Sequence, residues 1–198
     1  MTLALSALNK AGALLFVGVA QFSVFLIVAE AVYPGYSVSD NYISDLGATC
    51  RSQCLFFPSS PIFNSSIIIL GILILASVYF LSKSSARKPF LVCITISGIG
   101  CIGVGTFTEA AGIFHGIFSL ITFVFIALTA IFAYSIQRSP MRYFSVIAGL
   151  ATFIALILFE TNTFLGLGVG GMERMIVYPV MVWALGFGGH LMASESTH

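Results

Sequence analysis

This chain of 198 residues reads as an all-α polytopic membrane protein, with six transmembrane helices in one bundle and a structured extracytoplasmic loop between helices 1 and 2. Its composition, 59% hydrophobic and 8% charged with a mean hydropathy of +1.07, lies outside that of a soluble domain and implies a bilayer as solvent. Apolar windows of about 20 residues, enough helix to cross roughly 30 Å of hydrocarbon, recur along the chain. The few charges are sorted. Glu30, Asp40, Asp45, Glu109, Glu160 and Glu173, all but one of the seven acidic residues, fall at one end of the apolar segments, and most Lys and Arg fall at the other.

Helix 1 is expected near residues 11–33. Lys10 before it and Ala29-Glu30-Ala31 at its end have the look of a cleavable signal, but the apolar stretch from Gly12 to Ala29 is longer than the roughly 7 to 15 residues of a signal core, so it is kept as a helix. Pro34-Gly35 stops it and opens the longest connection, 34–61. There Ser39 or Asp40 is placed to cap a short helix running through Tyr42 and Ile43 to Gly47, and a loop of this length is a lid, a binding segment or a plain surface loop. Cys50 and Cys54 in the same loop are expected to form a small disulfide in an oxidising exterior, whereas Cys93 and Cys101, within an apolar helix, are expected to be reduced packing residues.

Helix 2 is expected near 62–82 and helix 3 near 90–109. Runs such as Ile67-Ile68-Ile69-Leu70 are apolar on every side, which suits a membrane helix and not an alternating barrel strand. Ser97, Cys101 and Gly105 recur at four-residue spacing, so helix 3 should be central and closely contacted. Helices 4, 5 and 6 follow near 115–136, 143–163 and 174–193, and the short connections make consecutive helices antiparallel neighbours in a single domain, 1–198. Lys10, Lys83, Arg87, Lys88, Arg138 and Arg142 share one side, which predicts an integral protein of the cell membrane with both termini cytoplasmic and the 34–61 loop outside.

The acidic end carries the candidate site. Each odd-numbered helix nears that end with a glutamate followed by a glycine: Glu30 before Gly35, Glu109 before Gly112, Glu160 before Gly166. A helix C-terminus disfavours an anion by roughly 0.3 to 1 kcal/mol, so each carboxylate calls for water, a cation, a proton or an arginine. The even helices start with Asn64, His115 and Glu173-Arg174, where helix N-termini favour anions and the Arg174 fork suits a glutamate or a lipid phosphate. Glu109 and His115 are the candidate acid-base pair or metal ligands; Glu30, Asp40, Asn41, Ser44, Asp45, Asn64, Glu160, Glu173 and Arg174 are the candidate ligand-binding residues. Ser44-Asp45 with His115 has triad residue types without a G-x-S-x-G context. No tri-histidine zinc site or two-haem arrangement has enough histidines at one level; the cofactor and any metal are left unspecified.

The stretch from Tyr36 through Asn41-Tyr42-Ile43-Ser44-Asp45-Leu46-Gly47-Ala48, the Asn64-Ser65 start, the Gly103 to Glu109 segment with His115, and Glu173-Arg174 followed by Tyr178-Pro179 and Trp183 resemble the DUF998 family of integral membrane proteins. The resemblance spans nearly the whole chain and implies a six-helix membrane protein; it supplies no substrate and no assigned catalytic residue. The residues themselves point to a polar, acidic pocket at the extracytoplasmic face that binds or processes a lipid headgroup, a cation or a small polar ligand. If chemistry occurs there, it is that of a membrane-embedded hydrolase or transferase. Two alternatives stand beside it. A transporter or channel would need ionisable residues in the bilayer centre, of which there are few, and a non-catalytic subunit would use the Phe-rich surfaces for contact with a membrane partner or a second copy. Membrane lipids are expected neighbours, and no basic run or motif points to nucleic acid.

Overall fold

The structure, a computed structural model, describes residues 6–47, 57–84 and 86–193. It contains six helices long and apolar enough to cross a membrane: α1 (Ala7–Val32), α2 (Ser59–Leu81), α3 (Lys88–Thr106), α4 (Ile113–Phe132), α5 (Met141–Glu160) and α6 (Gly168–Ala193). Local chemistry sets their ends. Ser6 caps α1 in a reciprocal box, its hydroxyl accepting from the Asn9 amide at 3.1 Å while Asn9 Oδ1 accepts from the Ser6 amide at 3.0 Å. Pro89 sits in the first turn of α3, where a missing N–H costs nothing, and Gly112 takes φ 56° to turn the chain into α4.

Each helix packs against its neighbour in sequence and α6 returns to α1, closing a ring; α4 also touches α6 across the middle. The seam between α1 and α6 depends on bare backbone. A Cβ on Gly12 would meet the Gly188 carbonyl oxygen at 2.6 Å, and one on Gly188 would meet the Gly12 oxygen at 2.9 Å, so only glycine at both positions lets these helices approach so closely. Asn9 Nδ2 adds a bond to the Met192 carbonyl at 2.5 Å. On α3, Ser97, Cys101 and Gly105 are all buried against neighbours, as their spacing predicted, and Cys93 and Cys101 are free thiols.

Polar groups within the spans are satisfied largely inside their own helices. The hydroxyls of Ser77, Ser97, Thr122 and Thr129 donate to carbonyls one turn back. Other bonds cross between helices, among them Gln21 Nε2 to the Ser66 carbonyl and Thr152 Oγ1 to the Ile176 carbonyl, both at 2.9 Å. The second lies beside Pro179, whose missing N–H leaves the Met175 carbonyl without its ladder donor; the Thr152 hydroxyl bonds the carbonyl one residue on. The outer faces carry exposed Val24, Ile27, Ile72, Ile147, Ile154 and Val182, a surface for lipid tails. At the end of the bundle away from the long loop, Lys83 lies over the Tyr79 ring at 4.0 Å and Arg142 over Tyr134 at 4.9 Å, pairings suited to the headgroup layer.

Some boundaries differ from the expected ones. Asn64 lies inside α2, which starts earlier, at Ser59; Glu109 lies beyond the end of α3, in a 3-10 turn, Glu109–Ala111. Gly168-Val169-Gly170-Gly171 supplies the first turn of α6, which starts earlier than expected, so Glu173 and Arg174 sit within the helix and not at its start. Ser39 and Asp40 cap nothing helical: the loop makes a shorter 3-10 turn, Ser44–Leu46, with Gly47 at its end. Cys50 and Cys54, with their proposed disulfide, lie outside the described residues.

Candidate functional site

The loop after α1 folds back over the bundle because α6 offers it a backbone surface and a cation. At Gly170 a Cβ would stand 2.0 Å from the Asn41 carbonyl oxygen and 2.6 Å from that of Val38, so the chain from Val38 to Asn41 rests directly on the bare first turn of α6. The Gly170 amide donates to the Ser39 carbonyl at 2.9 Å. One turn on, Arg174 Nη1 donates to the carbonyls of Val38 (3.0 Å), Asn41 (3.3 Å) and Gly170 (2.9 Å), and Nη2 donates to Glu30 Oε1 (2.6 Å) and the Tyr36 hydroxyl oxygen (2.5 Å). This one guanidinium ties α1, the loop and α6 together.

The loop is also braced internally. The Tyr36 hydroxyl donates to the Tyr42 carbonyl at 2.9 Å, and Asp45 Oδ2 accepts from Asn41 Nδ2 and the Tyr42 amide, each at 2.9 Å. Glu173, buried, accepts from the backbone amide of Ile43. On the far side Asn64 Nδ2 donates to the Gly47 carbonyl at 2.8 Å and the Ser59 hydroxyl to the Leu46 carbonyl at 3.3 Å. Burial raises the Tyr36 hydroxyl above the ordinary tyrosine value, against the opposing pull of Arg174, so it stays a donor.

Glu30, Asn41, Ser44, Asp45, Asn64, Glu173 and Arg174 are thus all in or against this cap. Asp40 sits on its exposed rim, bonded to the Ser37 hydroxyl at 2.7 Å. Glu160 ends α5 exposed, and Glu109 is half-buried in the turn between α3 and α4. His115 Nδ1 donates to the Phe107 carbonyl at 2.8 Å, since a carbonyl only accepts; that tautomer leaves Nε2 to accept from the Ser119 hydroxyl at 3.2 Å. Among the described residues no group of three or more His, Cys, Asp and Glu is arranged to hold a metal ion.

Beneath the cap lies a cavity of about 110 Å³, walled by α1, α2, α3, α4 and α6 and closed at the loop end by Ile43 and Ser44. Its wall is apolar except for Ser44, Ser119, Thr122, Thr129, Glu173 and Trp183. Glu173 and Trp183 both stand on α6, ten residues and so roughly 15 Å apart along it at 1.5 Å per residue. Composition and charge sorting gave no signal for Trp183 as part of a site, although it is the chain's one tryptophan; Ser119 was legible only as a hydroxyl one turn after His115. Tyr36, the aromatic anchor of Arg174, carried no signal beyond its place in the loop.

No curated protein and no solved structure matches the chain. The model of the family described as a protein of unknown function, DUF998, matches residues 16–190, nearly the whole sequence, and the chain therefore belongs to that family.

Proposed function

We propose that this multi-pass membrane protein holds a long-chain, lipid-like molecule in its central cavity, with the hydrocarbon along the apolar shaft and a hydrogen-bond-donating head group at the Ser44, Ser119 and Glu173 end. The observation that carries this is the cavity itself, an apolar void with a carboxylate at one end only. A void of this order with apolar walls stays dry and accepts an apolar guest of about benzene size, so a longer chain extends beyond the enclosed volume through the open part of the pocket. Glu173 accepts from the Ile43 amide, and a carboxylate has about four acceptor sites, so a hydroxyl or ammonium head is matched to what is left. Both terminal nitrogens of Arg174 are committed to Glu30, Tyr36 and carbonyls, which argues against a headgroup phosphate as their partner. The basic residues at the opposite end support an extracytoplasmic position for the loop under the positive-inside rule.

The test uses Trp183, the only tryptophan in the chain, as a reporter. Protein in nanodiscs is titrated with 12-bromotetradecan-1-ol and with its 2-bromo isomer. Saturable quenching by the 12-bromo compound alone is expected, abolished by filling the wall with Ala184→Phe. Quenching that never saturates, or that is the same for both isomers, overturns the proposal.

A second reading, an acyl hydrolase or transferase, is favoured by the Ser119–His115 contact on the same wall. In it Ser119 Oγ bonds the carbonyl carbon of an ester, its proton passes to His115 Nε2, and the departing alcohol takes that proton. A long-chain alkyl fluorophosphonate would then form a mass adduct on Ser119 that His115→Asn suppresses. An unmodified Ser119 after prolonged exposure removes this reading and leaves the binding one standing.

A further inference from the structure

Trp183 is 5% exposed, stacks on Phe187 with ring centroids 5.2 Å apart, and lines the cavity, yet its Nε1–H has no acceptor. Buried indole N–H groups ordinarily find a partner, and an apolar wall supplies none. An oxygen on the guest accepts from the indole N–H, whereas a bare hydrocarbon leaves it unmatched.

We infer that the molecule held in the cavity carries a hydroxyl group partway along its chain, accepting from Trp183 Nε1. This rests on the cavity being the binding site. Glu173 and Trp183 are separated by ten residues of α6, roughly 15 Å at 1.5 Å per residue, and that is the spacing expected between the head group and the internal hydroxyl. The ligand class is a long-chain molecule oxygenated at both places. A plain hydrocarbon tail fits the walls and leaves the indole N–H unmatched. Such a polar mismatch discriminates more sharply than chain length does, because a site built to hydrogen-bond an oxygen penalises the analogue that lacks it.

The experiment compares tetradecane-1,12-diol with tetradecan-1-ol and tetradecane-1,4-diol, each competing with radiolabelled tetradecan-1-ol for the protein in nanodiscs. The 1,12-diol is expected to compete about tenfold better than either control, the size of one well-made hydrogen bond. Trp183→Phe should erase that advantage, so that the 1,12-diol and tetradecan-1-ol compete alike. In the wild-type protein the 1,12-diol alone should shift the tryptophan emission to the red, a readout that does not depend on any variant folding. Equal competition by all three, or unchanged emission, with tetradecan-1-ol still bound saturably, overturns the inference and spares the binding proposal: a water on the indole N–H would give that result. Failure of tetradecan-1-ol itself to bind overturns both.

Discussion

Arg174 makes five hydrogen bonds, and its ion pair with Glu30 is enclosed, the two side chains being 5% and 17% exposed. Removing one member of a buried pair leaves the other uncompensated, at about 3 to 5 kcal/mol. Arg174→Met is expected to lower unfolding stability in detergent by that amount. Because the loop carbonyls also lose their donor, adding Glu30→Gln should restore only part of it. Strict additivity of the two changes would show that the pair is not coupled. Tyr36 supplies a pH-dependent test of the same cluster. Its hydroxyl is raised above the ordinary 10.0 by burial, so the unfolded chain ionises first. Its contribution is complete below that value and is lost as pH climbs through it. The stability gap between wild type and Tyr36→Phe should therefore narrow from about pH 8 to about pH 11, and a gap that stays constant would place Tyr36 in contact with solvent.

The loop and α6 depend on each other through glycine. With Cβ only 2.0 Å from the Asn41 oxygen, Gly170→Ala should lift the Val38 to Asn41 strand and cost the Arg174 bonds with it. Amide hydrogen exchange over 36–47 is expected to rise at least about tenfold, while Gly189→Ala, which meets nothing within 4 Å, should change little. Unchanged exchange in Gly170→Ala would mean that the loop is held from elsewhere. This element also marks where sequence reasoning ran out. Gly168-Val169-Gly170-Gly171 has poor helix propensity and reads as a turn, yet it is helical, because its lack of side chains is what admits the loop. The six spans were legible because a bilayer demands long apolar runs, and Glu173-Arg174 stood out because charge in such a run needs a partner. That the partner of Arg174 is Glu30, 144 residues away, is a property of ring closure by α1 and α6, and no local pattern encodes it.

At the scale of the whole molecule, the ring of helices has a polar cap at one end and a belt of Lys, Arg and Tyr at the other, with the cavity reaching down from the cap. The cavity left no trace in the sequence because it is a shortfall in packing shared by five helices, and each lining Leu, Ile or Phe looks like any core residue. The two ends differ in charge, and that difference makes the orientation testable. Exposed Ser39 lies in the cap, and exposed Ser82 follows α2 at the basic end. In a background with Cys50 and Cys54 replaced by serine, and with Cys93 and Cys101 buried, single cysteines at these positions report the two faces separately. A membrane-impermeant maleimide applied to intact cells is expected to label Ser39→Cys, and to reach Ser82→Cys only after permeabilisation. The reverse pattern would put the cap inside and refute the positive-inside reading. Labelling of both from outside would be more damaging, because α2 alone separates these positions from one another across the bilayer, and the cavity would then have no membrane around it from which to draw a lipid-like guest.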